Sequence, residues 1–95
     1  MKPDEIIRVL LVEDEAGDAH LVKMKLGQTQ SGRFDVTWVQ SLNEAQHCLA
    51  ASPFDVLLLD LSLPDSEGLA TVRSAREMAM DIPIVVLSGR GRLYG

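Results

Sequence analysis

Glu13-Asp14-Glu15 follows one short apolar run, Asp60 ends a second, and Ser88-Gly89 ends a third. Brought together, the carboxylates among these groups would repel: two at ~4 Å cost roughly 4 kcal/mol at an effective dielectric of 20. A hard divalent cation offsets that repulsion, and Mg²⁺ suits oxygen ligands while keeping several waters. Such an ion would hold phosphoryl oxygens and neutralise charge as a phosphoryl group arrives. A carboxylate beside it can then act as a nucleophile and become an acyl phosphate. One acidic strand end is by itself a weak signal, because Asp and Glu also occupy such positions as helix N-caps or turn residues. Asp60 carries more weight. The apolar stretch Val56-Leu57-Leu58-Leu59 leads straight into it, and a buried carboxylate without a paired role is costly.

The chemistry requires that the ends of separate segments meet, so the next question is which elements carry them. Ile6 to Val12, Val56 to Leu59 and Ile84 to Leu87 are rich in β-branched and leucine residues. Near-continuous apolar runs of this length suit strands covered on both faces, as in a parallel sheet. Phe34 to Val39 instead alternates Phe34, Val36 and Trp38 with Asp35 and Thr37, the pattern of an edge strand with one face nearer water. Helical segments lie between the runs. One spans Asp18 to Gln28. A second opens on Ser41-Leu42-Asn43-Glu44, which reads as a capping box: the Ser41 hydroxyl accepts from the Glu44 amide and the Glu44 carboxylate reaches back to the Ser41 amide. Leu42, Ala45 and Leu49 then share a stripe. A third helix is expected from Ser66 or Glu67, burying Leu69, Val72 and Ala75. Pro53 and Pro83 stop the helices that precede strands. The order β-α-β-α-β-α-β implies a parallel sheet with right-handed crossovers. Ligands of such sheets bind at the carboxyl ends of the strands, where Glu13, Asp14, Asp60 and Ser88 would gather if strands one, three and four are neighbours.

Ninety-five residues make one domain. Fourteen acids against nine bases give a formal charge of −5, which argues against direct nucleic-acid binding, since phosphate backbones call for clustered Lys or Arg. The single cysteine, Cys48, permits no intrachain disulfide and fits a reducing compartment. The charged start, Met1 to Glu5, lacks the apolar core of a secretory signal, and no apolar run has the length of a membrane span. The expectation is a soluble cytoplasmic protein with no membrane partner. His20 and His47 have no second His or Cys at ligand spacing and read as surface helix residues. Trp38 and Phe34 read as aromatics packed on a helix.

Three blocks carry a resemblance to a known family. Val9 to Glu15 resembles the first strand and acidic pair of response-regulator receiver domains, the CheY-like phosphoacceptors of two-component systems. Asp55 to Leu69 resembles their phosphoacceptor strand and loop, and Ile82 to Gly89 resembles their fourth strand with its switch hydroxyl. The resemblance spans Ile7 to Gly89 within a single 1–95 domain and leaves 90–95 as a tail. It implies a flavodoxin-like doubly wound α/β sheet. It implies Asp60 as phosphoacceptor and Mg²⁺ ligand, Asp14 as a direct Mg²⁺ ligand, Glu13 as a ligand through water, and the Ser62 backbone carbonyl as the third protein ligand. Ser88 would bond a phosphoryl oxygen, and Pro64 and Gly68 would shape the loop. The implied donor is a sensor histidine kinase, a phosphotransfer protein or a small phosphodonor.

The pattern departs from the family after the fourth strand. Receivers add a helix, a fifth strand ending in lysine and a closing helix, whereas only Arg90 to Gly95 follows Gly89 here, and Lys2, Lys23 and Lys25 all lie near the N-terminus. Arg90 or Arg92 would be a poor stand-in for the lysine, because a guanidinium is a fork and not a point charge. The short tail reads as a truncation or a frameshift product. The fourth strand is then an edge that invites self-association. Two functions remain in view: a phosphoacceptor signalling domain, or a receiver fold kept as a non-switching interaction module. A hydrolase or nucleotide-binding domain fits poorly, for there is no glycine-rich phosphate loop and no Gly-x-Ser-x-Gly elbow.

Overall fold

A computed structural model describes residues 6–28, 33–63 and 66–87. The elements are β1 (Ile6–Val12), α1 (Ala16–Gly27), β2 (Arg33–Val39), α2 (Leu42–Ala51), β3 (Val56–Asp60), β4 (Ser62–Leu63), β5 (Ser66–Glu67), α3 (Leu69–Met78) and β6 (Ile84–Leu87). Four strands form one parallel sheet in the order β2-β1-β3-β6. The alternating segment Phe34 to Val39 therefore lies at an edge, and the acidic ends of β1 and β3 are neighbours, both as the sequence pattern requires.

Alternation along the central strands divides the interior into two cores. Leu10, Val12, Leu57 and Leu59 pack with Leu42 and Ala45 of α2 and Ala75 of α3. Val9, Leu11 and Leu58 face the other way, against Ala19, Val22 and Leu26 of α1. Burial on both faces is what the continuous apolar runs of β1 and β3 encode; the run Ile84 to Leu87 departs from that expectation, with Val85 and Val86 exposed on β6. Leu10, Leu11, Leu57 and Leu59 are fully enclosed, and truncation of such a leucine to alanine costs about 2–5 kcal/mol.

Two local expectations need correction. The Ser41 hydroxyl accepts from the Glu44 amide at 3.2 Å, as a capping box requires, but the Glu44 carboxylate accepts from the Gln40 amide at 3.1 Å and not from that of Ser41. The reciprocal arm is displaced by one residue. The third helix starts later than Ser66 or Glu67. Those two residues pair antiparallel with Ser62–Leu63, the Gly68 amide donates to the Leu61 carbonyl at 2.8 Å, and α3 begins at Leu69. Leu69 is 79% exposed, so the buried stripe runs through Thr71 and Ala75, with Val72 half-buried beside them. Gly68 turns the chain at φ +65, a conformation that L side chains rarely adopt.

Candidate functional site

The register explains how two carboxylates come to face each other. Val12, the last residue of β1, lies opposite Leu59 of β3, and Glu13 and Asp60 are the residues that directly follow this pair in the chain. Both side chains project from the carboxyl end of the sheet and both are only 3% exposed. Asp14 is exposed at the same edge. Glu13, Asp14 and Asp60 each offer an oxygen, all within 4.8 Å of one another, and form a group that could hold a metal ion.

The backbone of Glu13 is anchored on β2. Its amide donates to the Val39 carbonyl at 3.0 Å, and its carbonyl accepts from the Trp38 indole Nε1 at 2.6 Å. Its carboxylate accepts from the Glu15 amide at 3.2 Å. Burial pushes the Glu13 carboxyl up from 4.5 to about 8; the Glu15 amide opposes this, and a hydrogen bond and like charge from Asp60 reinforce it. At neutral pH Glu13 therefore retains a proton shared towards Asp60, which relieves part of the repulsion in the cluster.

Of the residues singled out in the sequence, Glu13, Asp14 and Asp60 are brought together. The backbone of Ser62 lies in β4, two residues past Asp60. Ser88, Pro64, Arg90 and Arg92 lie outside the described residues. Sequence reasoning missed Trp38, which it took only as a packing aromatic. Its ring does pack on the α1 side of the sheet, under the Lys23 ammonium at 5.6 Å from the ring centroid, while its N–H serves the acidic loop.

The donor set fits a hard divalent cation. Oxygens bound to one octahedral Mg²⁺ sit at most about 4.2 Å apart, so the cluster closes on such an ion with a small movement or with one carboxylate held through water. A divalent charge also offsets the like-charge repulsion from Asp60 that adds to burial in raising the Glu13 carboxyl.

A doubly wound parallel α/β sheet with an acidic cluster at the carboxyl ends of its central strands defines a class. Comparison with known proteins narrows it. The profile of the response regulator receiver domain matches residues 9–93. The swarming motility regulation protein RssB of Serratia marcescens is 36% identical over 87 residues, covering 92% of this chain and 38% of that protein. The virulence transcriptional regulatory protein PhoP of Salmonella typhimurium is 34% identical over 85 residues, 90% of this chain and 37% of its own length. Among solved structures, the phosphorylated cyanobacterial phytochrome response regulator RcpA superposes with a TM-score of 0.74 at 30% identity, covering 88% of this chain and 66% of that one. A CheY-like receiver domain from Methylobacillus flagellatus gives 0.70 at 30% identity, covering 96% and 76%. The chain belongs to the response regulator receiver family. It spans less than two fifths of the length of RssB and PhoP. Among the described residues, no helix is long and apolar enough to cross a membrane.

Proposed function

We propose that this receiver domain accepts a phosphoryl group on Asp60 in a Mg²⁺-dependent reaction, as a relay step in two-component signalling. The observation that carries the reading is the convergence of Glu13, Asp14 and Asp60 at the carboxyl edge of the sheet. A relative of the same fold has been solved in a phosphorylated form, which supports it. Asp14 and Asp60 would hold the ion directly, Glu13 through water, and the Ser62 carbonyl would complete the protein ligands. When bound, the ion supplies positive charge against the carboxylates and against the incoming phosphoryl oxygens.

The residues divide the remaining work. A carboxylate oxygen of Asp60 attacks phosphorus; the new O–P bond forms as the bond from phosphorus to the donor breaks, and the donor leaves with the electron pair. Glu13 must give up its proton as the cluster takes on a cation. Ser88 would donate its hydroxyl to a phosphoryl oxygen and draw its loop inward. The product carries roughly −1.5 to −2 charges at neutral pH, and these differential contacts bias the domain between two states. The domain is thus a phosphoacceptor and turns over no separate substrate. The proposed donor is a sensor histidine kinase or phosphotransfer protein, and the proposed compartment is the cytoplasm.

Incubation with Mg²⁺ and a small acyl phosphate, read by intact mass, is the test. A phosphoryl-sized gain is expected that needs Mg²⁺ and vanishes in Asp60→Asn; a gain that persists in Asp60→Asn refutes the assignment. The convergence of the acids also weighs against a non-switching interaction module, which needs none of them. The sheet edge supports a further proposal: among the described residues β6 is paired only with β3, and Val85 and Val86 are 47% and 43% exposed. Edge-to-edge pairing with a second copy of this chain would cover them.

A further inference from the structure

Beyond the acids themselves, we infer that Trp38 is a positioning residue for the metal site, its indole N–H holding the main chain from which Glu13 and Asp14 project. The inference rests on the reading of the acidic cluster as a cation site. Its starting point is the end of the β1–β2 ladder. In a continuing parallel pair, the Glu13 amide would donate to Val39 and the Glu13 carbonyl would accept from the amide two residues beyond Val39. The first of these bonds is present at 3.0 Å. The second partner would be Ser41, but β2 ends at Val39 and Ser41 is already the N-cap of α2. The Trp38 indole occupies that place, donating at 2.6 Å. Both main-chain polar groups of Glu13 are therefore fixed by adjacent residues of one strand.

The consequence falls on the ligands. Glu13 and Asp14 are the first residues past β1, where a chain would otherwise be free to turn towards α1 in several ways. Fixing the Glu13 carbonyl fixes the plane of the peptide that joins Glu13 to Asp14, and so the direction in which the exposed Asp14 side chain leaves. The indole is itself held in place. Its ring, partly buried, packs against the core on the α1 side of the sheet, and the Lys23 ammonium sits over it at 5.6 Å. Groups that orient ligands in this way are worth about 10–100-fold in metal affinity.

Trp38→Phe keeps an aromatic ring against the core and removes the indole donor. We expect Mg²⁺ affinity, measured by titration calorimetry, to fall about tenfold in Trp38→Phe. Val36→Ala, on the same strand and face, serves as the control for strand stability: it should lower the melting temperature and leave Mg²⁺ affinity within about twofold. If Trp38→Phe binds Mg²⁺ as the unaltered protein does, or if Val36→Ala loses affinity equally, the positioning role is refuted while the metal site stands. If the unaltered protein takes up no Mg²⁺, the reading of the cluster fails and the inference falls with it.

Discussion

Glu13 ties the stability of the domain to pH. Its carboxyl keeps a proton to about 8 in the folded chain and would lose it near 4.5 when unfolded. Between these values the folded state holds more protons, so raising the pH favours unfolding. The contribution is fully present below about 4.5 and is lost as pH rises through about 8. A divalent cation competes with the same proton. The rise in melting temperature caused by Mg²⁺ should therefore be larger at about pH 8 than at about pH 6, and calorimetry in buffers of different ionisation enthalpy should register proton release on binding. Glu13→Gln should abolish both effects; a Mg²⁺ response equal at the two pH values would refute this role for Glu13. The residues concerned were legible in the sequence because acids directly after apolar runs are conspicuous. The proton was not, since it depends on the burial of Glu13 and on its closeness to Asp60, a residue more than forty positions away in the chain.

At the scale of elements, what could be read from the sequence was whatever repeats along the chain. Continuous runs gave the central strands, alternation gave the edge strand, and Ser41 with Glu44 marked the start of α2. The clip between β4 and β5 has no period, being two residues paired with two, and so α3 was expected too early and Leu69 was placed in the core. The same shortness makes Gly68 important to the clip. A Cβ there would meet nothing within 4 Å, so the obstacle to any other residue is the backbone at φ +65 and not space. Gly68→Ala should cost roughly 1–3 kcal/mol in denaturant unfolding. Because the glycine joins the segment after Asp60 to α3, the variant should also slow the proposed phosphorylation by the acyl phosphate. A stability equal to that of the unaltered chain would show that the turn relaxes.

At the scale of the whole molecule, the four-stranded sheet formed by the described residues has two dissimilar edges. β2 is polar on alternate positions, whereas β6 presents Val85 and Val86. Lysine on an edge strand blocks pairing with another chain. Sedimentation of the unaltered protein should show association that grows with concentration, and Val85→Lys should reduce it; a protein that stays monomeric at every concentration refutes pairing at this edge. Among the described residues β6 pairs only with β3, and its two central valines are the part of this apolar run left to water. The order of all four strands needed the packing of α1 on one face and of α2 and α3 on the other, which follows from the alternating side chains of β1 and β3.

The chain contains one tryptophan, and its ring nitrogen is bonded to the peptide between Glu13 and Asp14. The ultraviolet emission of this protein therefore comes chiefly from a chromophore wired to its acidic loop. Whatever enters or leaves that loop should change the colour or brightness of the light, making occupancy observable in a cuvette without attaching a dye.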